Sequence, residues 1–291
     1  MSIVLGPNQY GKAENRLVRI DRDPDGHRIT DLNVSVALSG DMTDTHLTGA
    51  NDKVLPTDTQ KNTVFAFARD GIGEIESYAL RLARHFVNSQ PSIQRARVSV
   101  GQYPWTRLEV GGSPAHHSFA RSGEGTRTTV VNYDGAQAWV VSGITDLIVL
   151  NSTGSEFWGY IKDGYTTLKE TDDRILATAV DATWRHAAAE GTDWGKSYTT
   201  ARQSLLEAFA ETHSLSLQQT LYAMGERVLT NCPEIVEVRL SLPNKHHFLV
   251  DLAPFGLDNP NEVFHADDRP YGLIEGTVQR DDAPPAGLAW S

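Results

Sequence analysis

Apolar and polar positions alternate most clearly near the end of the chain. Val236, Val238, Leu240 and Leu242 alternate with Glu237, Arg239 and Ser241. Phe248, Val250 and Leu252 then alternate with His247, Leu249 and Asp251. A period of two marks half-buried strands, so the pattern predicts two strands meeting at Pro243-Asn244-Lys245-His246. Nearer the start it predicts strands over 16–20 and 29–38, separated by a Pro24-Asp25-Gly26 turn. Residues 64–68 read as a short helix capped by Thr63, although Val64, Phe65 and Phe67 suit a strand equally. Ala79, Leu82, Ala83 and Phe86 recur at three- and four-residue steps and predict a helix over 75–87. Residues 93–100 read as a strand with a hairpin partner over 127–131. Beyond these, 138–141 and 147–150 read as a hairpin pair, and 204–212 and 217–229 as helices. Leu217, Leu221, Met224 and Val228 mark one face of the latter.

The plan of strand, strand, helix, helix, strand, strand therefore occurs twice. The letters echo too: residues 91–100 lie over 233–242, and Thr59, Lys61 and Thr63 over Thr167, Lys169 and Thr171. The spacing between the two echoes differs, which puts extra residues in the second half, within 181–199. An internal repeat of this kind points to a duplicated α+β domain. The halves are 1–135 and 136–280. A tail, 281–291, has two consecutive prolines and little periodicity, and reads as loose or as an interface arm.

Composition narrows the classes. A chain of 291 residues is ample for a core, and no apolar run approaches the roughly 20 residues that span a bilayer. The first residues lack the basic start and apolar run of a signal peptide. Cys232 is the single cysteine, so no intrachain disulfide can form, which fits a reducing cytoplasm. A formal net charge of -11 argues against a general nucleic-acid binder and means that an anionic ligand needs a local cationic pocket.

Several residues offer such chemistry. Arg174 presents paired donors that suit a planar, partly anionic edge; the plainer reading is an ion pair with Asp172 or Asp173. Ser216-Leu217-Gln218-Gln219 fits a capping box, with Ser216 as N-cap. The backbone N–H groups of Leu217 and Gln218 would then be orphan donors at a helix end that favours an anion. Phe157 supplies either an aromatic face or core packing with Trp158. Asn244 and His246 are two apart, so an extended backbone points both to one side; a carboxamide beside an imidazole can hold a small reactant and move a proton, or simply form a polar strand junction. Of the ten histidines, His116-His117 and His246-His247 are adjacent pairs, not the i, i+4 spacing of a zinc helix. There is no Gly-x-Gly-x-x-Gly fingerprint.

Five separated blocks resemble the urate oxidase (uricase) family, of bacterial type. They are Tyr10-Gly11-Lys12, residues 56–63 (Pro-Thr-Asp-Thr-Gln-Lys-Asn-Thr), Ser155-Glu156-Phe157-Trp158-Gly159, residues 165–176, and Ser241-Leu242-Pro243-Asn244-Lys245-His246. The resemblance runs from about Leu5 to Val278 and is weakest over 101–135. It implies tandem tunnelling-fold (T-fold) domains, whose antiparallel sheets carry helices on one face and join across subunits of a homotetramer into a barrel. It implies a cofactor-free, metal-free oxidase that converts urate and dioxygen. Lys12, Thr57 and His246 would handle protons. Arg174, Gln218 and the Leu217 backbone would hold the purine edges; the family often has valine at the Leu217 position, a change that matters little to a backbone contact. Phe157 would stack, and Asn244 would hold dioxygen and then water. Lys12, Thr57 and the Asp58 backbone N–H would come from the neighbouring subunit. The alternatives are a related pterin-processing T-fold enzyme, which commonly anchors its heterocycle with a glutamate and binds zinc through histidines, and a purine-binding protein without activity. Gln218 and the scattered histidines weigh against the first; the presence of Lys12, Thr57 and His246 weighs against the second. The tail lacks a Ser-Lys-Leu ending.

Overall fold

The computed structural model describes residues 2–291, apart from the side chain of Asp268. The chain forms two compact units: residues up to Gly143 with Trp184–Tyr198 and Pro284–Ser291, and Ile144–Thr183 with Thr199–Ala283.

In the first unit, β1 (Tyr10–Asp23), β2 (Gly26–Gly40), β3 (Ile93–Tyr103) and β6 (Thr126–Tyr133) lie side by side, each antiparallel to the next. A separate hairpin, β4 (Trp105–Val110) with β5 (Ser113–Arg121), interrupts the chain between β3 and β6. Three helices follow β2: α1 (Thr43–Thr48), α2 (Thr57–Arg69) and α3 (Ile75–Ser89). α3 lies against β3 and β6, and α2 against β1. The alternation that predicts β2 is the one that folds it: Leu32, Val34, Val36 and Leu38 are buried. They share a core with Ala79, Leu82, Ala83 and Phe86, the predicted inner stripe of α3.

β7 (Ala138–Asn151) and β8 (Leu176–His186) each begin in one unit and end in the other. In the second unit the strand order runs β7, β8, β9 (Ile235–Leu249), β10 (Phe264–Gln279), with β9 and β10 antiparallel. α4 (Trp194–Glu211) and α5 (Leu217–Asn231) complete it, and α5 lies against β9 and β10. That approach is close. A Cβ on Gly225 of α5 would sit 2.6 Å from a methyl of Val278 on β10, so only glycine lets this helix settle there.

The architecture is α+β with antiparallel pairing and few helices. Leaving aside α1, the β4–β5 hairpin and a short 3-10 turn at Ala253–Phe255, the element order is strand, strand, helix, helix, strand, strand, twice over. Four expectations need correction. The Pro243–His246 step is not a junction of two strands: β9 runs straight through it, and the irregularity falls on β10, between Asp267 and Gly272. Residues 138–150 form one strand rather than a hairpin, because Asp146 takes up a positive φ of 58° without ending it. The helix read at 64–68 starts at Thr57, so Thr63 lies inside it and bonds back to the Thr59 carbonyl at 2.8 Å instead of capping. The tail is neither loose nor free: Ala289 is buried, and Arg97 Nε donates to the Ser291 carbonyl at 3.0 Å. The suspected insertion at 181–199 comprises mainly the end of β8 and the start of α4. Among the described residues no helix is long and apolar enough to cross a membrane.

Candidate active site

Each unit gathers its own share of the predicted residues. In the first, Lys12 stands on β1, and Thr57 and Asp58 open α2. Lys12 sits at the edge of a β-bulge, where the register with β2 shifts between Lys12 and Asn15 and Glu14 has a positive φ of 54°. Bulges re-aim side chains and occur next to active sites. The buried Asn15 stabilises this one: its Nδ2 donates to the Lys12 carbonyl at 3.1 Å and to the Val34 carbonyl at 2.8 Å. Gly11 has its own reason to be glycine, since a Cβ there would lie 1.8 Å from the Val36 carbonyl oxygen. α2 has Pro56 at its N-cap, with no side chain bonding its free N–H groups. Asp58 lies on the surface of that first turn. Its carboxyl is held below the ordinary value mainly by a hydrogen bond from Lys61, with the Lys12 ammonium among the lesser contributors.

In the second unit, Phe157, Arg174, Leu217, Gln218, Asn244 and His246 are set by three elements. The segment after β7 doubles back on itself through a pair of bonds between Phe157 and Thr171, 2.8 and 3.1 Å. This brings Arg174 to Phe157, with the guanidinium carbon 5.2 Å from the ring centre. Ser155 fixes the arginine twice, accepting from its Nε at 3.1 Å and from its backbone N–H at 2.9 Å. The expected alternative partners of Arg174 are otherwise engaged or exposed; Asp173, for one, accepts from Thr153. Burial pushes the Arg174 guanidinium below its ordinary pKa, and no carboxylate among the described residues opposes that shift. Phe157 stacks on Tyr160, 4.9 Å between centroids and 18° from parallel, while Trp158 points away and is 62% exposed.

The same Ser155 ties this strap to α5. It bridges Ser214, whose carbonyl accepts from Glu156 N–H at 2.7 Å, and Ser214 lies two residues before the N-cap. Ser216 Oγ accepts from Gln219 N–H at 3.2 Å, and α5 begins at Leu217, as the capping box predicts. The reciprocal bond differs: Gln219 Oε1 accepts from Leu215 N–H at 2.9 Å rather than from the cap itself. Leu217 is buried, Gln218 exposed. Asn244 and His246 stand two apart on β9, paired with Gly272 and Asp267. His246 stacks on Phe248 at 5.7 Å, as residues on one side of a strand do. Among the described residues no group of three or more His, Cys, Asp or Glu side chains is placed to hold a metal ion. Asn15, Ser155 and Ser214 escape the sequence reading because they act on backbone; the bulge has no letter pattern, and serines in loops are common.

This is an α+β, antiparallel-sheet scaffold whose polar candidates sit on strands, on a tied-down strap and at helix N-termini. A family profile described as uricase matches residues 8–132 and 140–275. The chain is 52% identical over 289 residues to the uricase of Arthrobacter globiformis, covering 99% of this chain and 94% of that protein. It is 37% identical to the uricase of Dictyostelium discoideum, covering 94% and 96%. The crystal structure of the Arthrobacter globiformis uricase superposes with a TM-score of 0.93 over 98% of both chains. A uricase from Bacillus fastidious, 22% identical, shares the fold at a TM-score of 0.81 over 96% of each chain. The chain belongs to the uricase family, the urate oxidases.

Proposed function

We propose that the chain catalyses urate + O2 + H2O → 5-hydroxyisourate + H2O2 in purine breakdown, without metal or organic cofactor. The observation that carries this reading is Arg174. It is a part-buried guanidinium set over Phe157 and held by Ser155, on a strap bonded to the entrance of α5. A part-buried cation whose pKa no carboxylate among the described residues shifts favours an incoming anion. Urate near neutral pH is a flat monoanion. Arg174 would grip one edge, and the Gln218 carboxamide with the Leu217 N–H the other, helped by the partial positive charge at the start of α5. Phe157 would stack on the purine in place of Tyr160, which stacks on its ring here.

Without a cofactor the substrate itself must reduce dioxygen, and removing a second proton makes urate electron-rich enough. Lys12 and Thr57 would take that proton, with His246 relaying it; the Asp58 N–H would steady the purine from the α2 side. Asn244 would hold dioxygen, then the water that attacks the oxidised ring. Proton removal and positioning are the protein's contribution. The tandem T-fold halves, 1–135 and 136–280, would meet those of other copies in a homotetramer, with Lys12, Thr57 and Asp58 reaching into the neighbour's site. Ile148, Leu150, Phe248, Leu249, Tyr271 and Leu273, all exposed apolar residues on β7, β9 and β10, suit such contacts. The buried, unpaired Cys232, its thiol pushed up to about 12 by burial, suits a reducing cytoplasm.

Replacing Arg174 with alanine tests the reading. Loss of the charged partner of a buried anion should weaken binding of a non-reacting urate analogue by about 2–5 kcal/mol, measured by calorimetry. An unchanged affinity would remove the clamp from the account.

A further inference from the structure

The proton-handling pair needs its two members, Lys12 and Thr57, in fixed relation, yet α2 has Pro56 at its N-cap and no side-chain cap to fix where Thr57 points. Something else must hold the chain just before it. Leu55 is held at both its polar atoms. Its N–H donates to the Tyr10 hydroxyl at 3.0 Å, and its carbonyl accepts from Gln60 Nε2 at 3.3 Å. Gln60 is fully buried and also donates its backbone N–H to the Pro56 carbonyl at 3.2 Å. Tyr10 is half-buried, its ring packed on the core of the first unit. It is therefore an anchored group rather than a surface side chain that happens to reach Leu55. Tyr10 and Lys12 are also two apart on β1 and so share one side of the strand. The strand carries Lys12 directly and Thr57 through the Tyr10–Leu55 bond.

We propose that Tyr10 is a positioning residue for the proposed reaction, setting Thr57 against Lys12 through Leu55. The inference rests on the reading of Lys12 and Thr57 as the proton-handling pair. In this role Tyr10 acts through the Leu55 peptide and needs no contact with substrate or dioxygen. Its hydroxyl accepts one hydrogen bond, and burial pushes the phenol above its ordinary pKa, so it stays neutral at working pH. Removing the oxygen atom alone frees the Leu55 peptide while the ring keeps its packing. A displacement of about 1 Å at the reacting groups can cost on the order of 100-fold in rate, so a partial loosening should cost on the order of tenfold.

The experiment compares Tyr10→Phe, Thr57→Ala and the double variant in the assembled enzyme. Turnover of urate is followed at saturating dioxygen, and in single turnovers with enzyme in excess for slow variants. Tyr10→Phe should lower kcat about tenfold and leave KM within about twofold. In the Thr57→Ala background the same change should do nothing further, because the group it positions is gone. A merely structural tyrosine would instead lower kcat by the same factor in both backgrounds, which overturns the proposal. So would wild-type kcat in Tyr10→Phe. Wild-type kcat in Thr57→Ala would sink the assignment of Thr57 itself, and Tyr10's role with it.

Discussion

At the scale of single residues, the first-unit candidates depend on side chains that carry no chemistry of their own. Asn15 is the clearest case. Its carboxamide bridges the Lys12 and Val34 carbonyls across the bulge, inside the protein. Alanine there would leave both carbonyls without that donor in a buried place. The expected cost is about 1–3 kcal/mol, read as a lower urea midpoint with an unchanged slope. A variant as stable as the parent would mean that water replaces the carboxamide and that the bulge does not need it. Residue types that carry chemistry are easy to see in a sequence, as Arg174, Gln218, Asn244 and His246 are. The residues that aim them are not. Ser155 acts through one hydroxyl and one carbonyl on Arg174, and Tyr10 through a single peptide N–H. Only the folded backbone brings those atoms together.

Elements with strong periodicity were readable, and elements shaped by one irregular residue were not. The buried stripe of α3 and the alternation of β2 match their patterns, and the capping box placed the first residue of α5 correctly. The segment of β7 reads as a hairpin pair in the sequence; the single positive φ at Asp146 lets the strand pass. β9 looked broken because proline and polar residues interrupt its apolar alternation, but its partner absorbs the irregularity. Where β6, β7, β8 and the start of α4 meet α3, there is a polar cluster that no local pattern announces. Ser142 Oγ donates to Glu76 at 2.7 Å and accepts from His186 Nε2 at 3.1 Å, and Arg127 bonds Glu76 and Glu74, both at 2.7 Å. Trp194 packs its ring edge-on against His186 at 4.9 Å. Burial, with Arg127 beside it, lowers the His186 pKa from 6.5 to about 3. The fold thus requires neutral His186, and this contribution is complete above about pH 6.5 and lost as pH falls toward 3. By pH 5 the loss should be about 2 kcal/mol. Burial raises Glu76, which acts in the opposite sense and offsets part of that loss once pH drops into its own range. Urea midpoints at pH 7 and pH 5 should therefore differ less in His186→Gln, which keeps a donor for Ser142, than in the parent. Equal slopes in both proteins would show that other groups set the acid sensitivity.

On the scale of the whole molecule, the candidate residues fall into two sets, one on each compact unit: Lys12, Thr57 and Asp58 on the first, the Arg174 group on the second. If sites are completed between subunits, two dead variants can rescue each other. Mixed assemblies of Lys12→Met and Arg174→Ala chains should recover part of the parent activity, because some sites then receive two intact halves. Mixed oligomers confirmed by mass spectrometry yet without activity would mean that each chain builds its own site.

The reaction proposed for this chain is oxidation of urate by dioxygen with nothing else bound. Oxygen uptake by the thoroughly chelated protein, followed together with the loss of urate's ultraviolet absorbance and the appearance of peroxide, tests it most directly. One dioxygen and one urate should disappear for each peroxide formed, at a rate unaffected by the chelator. Turnover that stops on chelation and returns with added metal would contradict it, as would saturable binding of a urate analogue with no oxygen consumed.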